Sequence, residues 1–97
     1  MARIAGVGTL TASADTTVDS TAQDRSIRVR VYNADTVAHT YTFKIGTTAL
    51  KKVTLASGED ASFGPEHIAS GTSLVVNVAE ATTTTASNYG KTGEYDA

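Results

Sequence analysis

Strict alternation of apolar and polar residues in three short segments restricts this chain more than any other feature. In Ser26–Tyr32 (SIRVRVY), Ile27, Val29 and Val31 fall on one face and Arg28, Arg30 and Tyr32 on the other. His39–Ile45 (HTYTFKI) repeats the pattern with Tyr41, Phe43 and Ile45, and Thr72–Val78 (TSLVVNV) with Leu74, Val76 and Val78. Side chains of a strand point alternately to opposite faces, so a period of two marks a half-buried strand. Helix signals are nearly absent. The best candidate, Pro65–Ala69, is one turn long and flanked by glycines.

The rest of the chain is punctuated for short strands. Met1–Gly8 is small-residue-rich and mostly uncharged, which suits a flexible arm carrying Ile4 and Val7; the folded domain is then expected over residues 9–97. Thr9–Ser13 and Thr16–Ser20 are Thr/Val-rich and read as edge strands, and Thr21–Arg25 as a polar loop. Asn33–Ala38 opens with turn-forming side chains and reads as a hairpin or a sandwich corner. Gly46-Thr47-Thr48 is a compact turn into Ala49–Leu55, whose alternation stumbles at Lys51-Lys52, as at a bulge or an exposed edge. A short strand at Ala61–Phe63 is broken by Gly64-Pro65, since proline has no N–H to give a central ladder. Thr72–Glu80 and Asn88–Tyr95 read as the last strands, and Thr82–Thr85 as strand or exposed loop. Many short strands separated by turn clusters predict a single antiparallel β-sandwich of about six to eight strands, Ig-like or jelly-roll-like. Its core is expected from Ile27, Val29, Val31, Tyr41, Phe43, Ile45, Val53, Leu55, Phe63, Ile68, Leu74, Val76 and Val78.

Composition bounds what such a sandwich does. A chain of 97 residues is one small domain, burying roughly 60–65% of its unfolded surface. With 40% hydrophobic and 6% aromatic residues the core is thin, so assembly or docking on a partner would add stability. Net charge is −2, so neither nucleic acid nor an anionic membrane surface is expected as a partner. Cysteine is absent, which removes disulfides, thiol chemistry and Cys-ligated zinc. No stretch approaches the roughly 20 apolar residues that span a bilayer. Arg3, the run Ile4–Leu10 and Ala12-Ser13-Ala14 superficially resemble a signal peptide, but Gly6, Gly8 and Thr9 interrupt a run that is already short.

Candidate chemistry is sparse. His39 and His67 share no ligand spacing and read as surface or rim residues. Asp15, Asp19 and Asp24 are too dispersed for a calcium loop and read as solvated loop carboxylates. Glu59-Asp60 would point to opposite faces of an extended chain, and Gly6-Val7-Gly8 lacks the third glycine and the βαβ setting of a phosphate loop. No serine is paired in sequence with a histidine and a carboxylate in a known motif. The expectation is therefore no enzyme, no metal and no cofactor. Arg28, Arg30 and Tyr32 share the face opposite the Ile27/Val29/Val31 stripe, where they serve either as solubilising residues or as an interface rich in planar side chains. A basic and aromatic sheet face also suits single-stranded nucleic acid, though two arginines and one tyrosine on an acidic chain carry that weakly.

Across Arg28–Tyr95 the whole cadence resembles small β-sandwich virion proteins of tailed bacteriophages. It runs from the alternating strand RVRVY and the NADT turn, through HTYTFKI and VTLASGE, to SGTSLVVNV, a Thr/Ala-rich span and a closing NYGKTGEY. That resemblance implies a capsid cement or decoration protein on the capsid surface of the virion, assembled in the bacterial host cytoplasm. Its implied partner is the major capsid (coat) protein, and its implied oligomer a homotrimer bridging coat subunits. Other virion parts (fibre, neck or tail modules) and carbohydrate- or protein-binding sandwich modules share the style; the lack of tryptophan counts against sugar binding. The contact candidates are Ile4, Val7 and Leu10 of the N-terminal segment and the Arg28/Arg30/Tyr32 face.

Overall fold

Eight strands form two four-stranded antiparallel sheets in a computed structural model that describes residues 2–11, 14–20, 22–79 and 87–95. The strands are β1 (Ala2–Leu10), β2 (Asp15–Ser20), β3 (Arg25–Asn33), β4 (His39–Ile45), β5 (Thr48–Leu55), β6 (Asp60–Ile68), β7 (Ser73–Ala79) and β8 (Ser87–Tyr95). One sheet has the order β1-β8-β3-β6 and the other β2-β7-β4-β5. Only β4 and β5 are consecutive neighbours in one sheet, joined by Gly46-Thr47 with Gly46 at positive φ; every other connection crosses between the layers. Two sheets with this interleaved order make a jelly-roll sandwich, one of the two connectivities expected.

The alternating segments behave as their period requires. In β3, Ile27, Val29 and Val31 are fully buried while Arg28, Arg30 and Tyr32 face out. From the facing layer come Tyr41, Phe43, Leu74, Val76 and Val78, with Phe43 stacked on Phe63 of β6 at 5.2 Å between ring centroids. Leu55 and Ile68 are also buried, and Ile45 and Val53 pack half-buried against this core. Leu10 and Val18 join it from strands whose sequences are otherwise too polar or too small to predict a core position.

Several expectations are corrected. Residues 2–8 of the expected flexible arm belong to β1, paired with β8 from Ala2↔Tyr95 to Leu10↔Ser87. Its inward glycines leave room that the opposite strand fills: a Cβ at Gly8 would lie 2.7 Å from the Tyr89 ring. Thr9 and Leu10 accordingly end that strand and do not begin one, while Ser13 and Thr82–Thr85 lie outside the described residues. Gly64-Pro65 does not end a strand, and Pro65–Ala69 is not a helical turn, because β6 continues to Ile68. The strand absorbs the pair as a bulge opposite Ile27/Val29, and it lies at a sheet edge, where a missing N–H is tolerated. His39 is buried, not at the rim, and Asp19 and Arg25 are buried, not in a solvated loop. Lys51-Lys52 do lie on an edge strand beside a bulge.

Gly64 has φ +101°, and a Cβ there would lie 2.5 Å from the backbone oxygen of Ile27. Gly64→Ala is expected to lower stability by at least about 2 kcal/mol through the left-handed conformation and that clash. The check is a lower urea midpoint at unchanged slope.

The Asn33 corner shows why the β3–β4 connection turns where it does. Its side-chain amide donates to the carbonyls of Val37 and Leu55, both at 2.9 Å, and its Oδ1 accepts from the Asp35 N–H at 2.9 Å. Backbone bonds Asn33 N–H to Glu59 O and Gly58 N–H to Asn33 O fasten it to the β5–β6 turn.

Tyr41 ties the layers together at the same end. Its buried hydroxyl lies 2.6 Å from Ser87 Oγ of β8. Burial raises the Tyr41 phenol above the usual tyrosine range; the Ser87 hydrogen bond opposes this and the Asp35 charge adds to it. With the folded value above the unfolded one, this contribution is fully present below about pH 10 and is lost as pH climbs through the folded value. Tyr41→Phe is therefore expected to lose less stability than the parent between neutral and alkaline pH, although it starts lower for want of the hydrogen bond. Urea titrations across that range test it, and parallel losses in both proteins would assign the alkaline transition elsewhere.

Candidate functional site: the outward face of one sheet

Register brings the sequence candidates together on the outer face of β1-β8-β3-β6. Arg30 stands opposite Gly90 of β8 and Ser62 of β6, and Gly90 in turn opposite Val7 of β1. Next to this row, Arg28 faces Thr92 and then Ala5, and Tyr32 faces Asn88 and Asp60. Because β1 and β8 offer small side chains between the bulkier ends of this face, its middle is hollow. An open trough of about 840 Å³ is lined by Ala5, Val7, Arg28, Arg30, Asp60, Lys91 and Thr92 among others. Two smaller hollows extend it, one along Arg3, Ser26 and Glu94 and one along Val7, Tyr32 and Asn88.

Its chemistry is mixed. Val7 is 87% exposed and Tyr32 42%, an apolar contribution left in water by the isolated chain. Arg30 pairs with Asp60 across the strand boundary, both groups exposed, so this pair is worth little in stability. Arg28 has no ion pair among the described residues and holds the centre of the face. Of the six contact candidates, Val7, Arg28, Arg30 and Tyr32 therefore converge on one surface. Ile4 and Leu10 do not: their parity turns them inward, Leu10 into the core and Ile4 against it. Asp60, Ser62 and Thr92 complete the surface and are not among the contact candidates expected from sequence, where Asp60 figures only in the Glu59-Asp60 pair; the cross-strand register places them.

The other titratable candidates are spent on structure. Asp15 accepts from Asn77 Nδ2 at 2.8 Å and pairs with Lys44 at 3.1 Å; the Asn77 bond first, then Lys44, holds its carboxyl below the usual range. Asp24 accepts from the Ser70 N–H at 2.7 Å, and Glu59 from the Ala56 N–H at 2.7 Å. His39 Nε2 lies 2.7 Å from Asp35 Oδ2 inside the corner, whereas His67 is exposed on β6 opposite Ser26. No group of three or more potential metal ligands lies together among the described residues. Nor is any helix of the described residues long and apolar enough to cross a membrane.

An open, shallow, mixed face with arginine and tyrosine beside exposed valine has the make-up of a macromolecular contact; small-molecule sites are enclosed and mostly apolar.

No family model matches the chain, and no curated protein matches it. Among solved structures, a chain of a Bacillus endospore appendage, described as belonging to a novel family of disulfide-linked pili, superposes with a TM-score of 0.57. The likeness spans 99% of this chain and 87% of that one at 18% sequence identity. At that identity the shared property is the β fold.

Proposed function

We propose that this protein is a non-enzymatic structural component of a protein assembly, docking through the outward face of β1-β8-β3-β6. The observation that carries the reading is the convergence of Val7, Arg28, Arg30 and Tyr32 on one outward face, around an open trough and the hollow that adjoins it at Tyr32. The finer reading is a capsid cement or decoration protein of a tailed phage, with the major capsid protein as partner; it is supported by the resemblance over Arg28–Tyr95. Such a protein needs no chemistry. A specific contact of about 800 Å² per partner, repeated over symmetry-related sites, stabilises a shell by burying surface across subunit junctions.

A second reading is favoured by the fold likeness: a subunit of an extracellular appendage. The neighbour's pili are disulfide-linked, and this chain, having no cysteine, would have to assemble through non-covalent contacts alone.

Quantitative peptide mass spectrometry on purified particles from the source culture separates the two. A copy number near that of the coat protein supports cement, and a handful of copies supports a fibre or tail part. Absence from particles overturns the virion reading and leaves the appendage. Where cement holds, Arg28→Glu with Tyr32→Ala is expected to lose capsid binding while keeping the parent's thermal midpoint; unchanged binding would remove this face from the proposal.

A further inference from the structure

The edge of a sheet offers unpaired N–H and C=O groups to any strand that approaches, and soluble proteins guard such edges with charges, prolines, bulges or short length. Four strands stand at edges here: β1 and β6 in one sheet, β2 and β5 in the other. Three are guarded. β6 contains Pro65 and the bulge opposite Ile27/Val29. β5 carries Lys51, Lys52 and a register shift opposite Phe43/Lys44. β2 is only six residues long, shifts register between Thr17 and Asp19, and carries both Asp15 and Asp19. β1 has none of these devices. It runs nine residues in unbroken register against β8, holds no proline, and has Arg3 as its single charge.

We propose that the free edge of β1 receives a second copy of this chain, β1 against β1, antiparallel about a two-fold axis through Gly6. A two-fold contact uses the same patch on both subunits, so the patch must complement itself. In this register Ala5 lies opposite Val7 of the other copy and Arg3 opposite Thr9, so no cation meets another. Parity is kept as well. Arg3, Ala5, Val7 and Thr9 stay on the outer face of the joined sheet, and Ile4, Gly6 and Gly8 on the core side. A slip by one residue would set the outer residues of one copy against the inner residues of the other. A slip that centres the axis on Arg3 would oppose two guanidinium groups. The sheets of the two copies become continuous, and their two troughs meet across the axis with Val7 of each copy beside Ala5 of the other.

Sedimentation equilibrium on the purified protein tests this, and its outcome does not depend on whether virions contain the chain. The expected mass is twice the 10.0 kDa of one chain. Ala5→Lys/Val7→Lys is expected to abolish that doubling while the single chain still unfolds cooperatively, since both side chains are exposed; its thermal midpoint falls only by the share that association adds and no longer depends on protein concentration. Cross-linking checks the register in a chain free of native cysteine. Directly opposed residues of antiparallel strands have Cα atoms about 4.5–5.5 Å apart, within disulfide reach. Oxidised Ala5→Cys/Val7→Cys should therefore run as a covalent dimer on a non-reducing gel. Thr9→Cys should stay single, because its two copies lie six positions apart along the strand, about 20 Å. A single-chain mass for the parent, or the trimer implied by the virion resemblance, overturns the proposal. So does a dimer that survives Ala5→Lys/Val7→Lys, or one that cross-links through Thr9→Cys and not through positions 5 and 7.

Discussion

Asp19→Ala is expected to lower the stability of this domain by about 3–5 kcal/mol, the range for removing one partner of a buried ion pair. Asp19 is 4% exposed, and its two oxygens serve two cations: Oδ2 accepts from Arg25 Nε at 2.7 Å, and Oδ1 from Lys91 Nζ at 3.2 Å. The Arg25 side chain is wholly buried. Its remaining nitrogens donate to the carbonyls of Gln23, Ala69 and Thr72, which fastens the start of β3 to the β6–β7 connection. Without the carboxylate, a guanidinium held in place by those carbonyls and a partly buried ammonium lose their shared counter-charge.

Small domains have only about 5–15 kcal/mol to lose. At roughly 4–8 °C per kcal/mol, the thermal midpoint should fall by at least about 12 °C. Asp19→Leu/Arg25→Met should recover part of the loss, because replacing both charges by apolar groups removes the desolvation cost of each. Recovery stays incomplete, since the Ala69 and Thr72 carbonyls lose their donor and Lys91 its acceptor. A loss below about 1 kcal/mol for Asp19→Ala would mean that water solvates this site and the network does not hold the two layers.

This network also marks where sequence reading stops. Alternation locates β3, β4 and β7 because each combines a period of two with bulky apolar residues, and those residues form the inner face whichever strands pair with them. Burial of Asp19 and Arg25 has no such local cause. Beyond their own pairing and the Gln23 carbonyl, their partners are distant in sequence (Ala69, Thr72, Lys91), so a polar stretch ahead of β3 reads as a solvated loop until the topology is known. β1 hides for the complementary reason. Its inward positions include Gly6 and Gly8, which look flexible alone, but Lys91 and Tyr89 of β8 stand opposite them in register and fill the space. In β6 the sequence shows the breaker Gly64-Pro65, while a sheet edge with a bulge can absorb it. The candidate face is half legible: parity groups Arg28, Arg30 and Tyr32, but only the strand order places Val7 beside them and turns Ile4 and Leu10 inward.

The thinness of the core, evident from an aromatic content of 6%, leads to the second large effect. Phe43→Ala is expected to cost about 3–5 kcal/mol. Phe43 is fully buried on β4, and its ring lies nearly parallel to that of Phe63 on β6, 14° between planes, so the pair spans the two layers. The chain has no other phenylalanine, and the surrounding core positions are chiefly β-branched or leucine side chains of fixed rotamer and little reach. The two halves of the stack should not respond alike. β4 is held between β7 and β5, whereas β6 is an edge strand with a bulge beside Phe63. A site that can collapse loses less on truncation, so Phe63→Ala should cost less than Phe43→Ala. The double variant should cost less than the sum of the singles, since the stacking contribution of about 0.5–1.5 kcal/mol is counted in each. Urea denaturation of the three variants measures all of this. Equal single costs with strict additivity would show that the rings contribute only by filling volume, and that the edge position of β6 gives the core no freedom to close around the cavity.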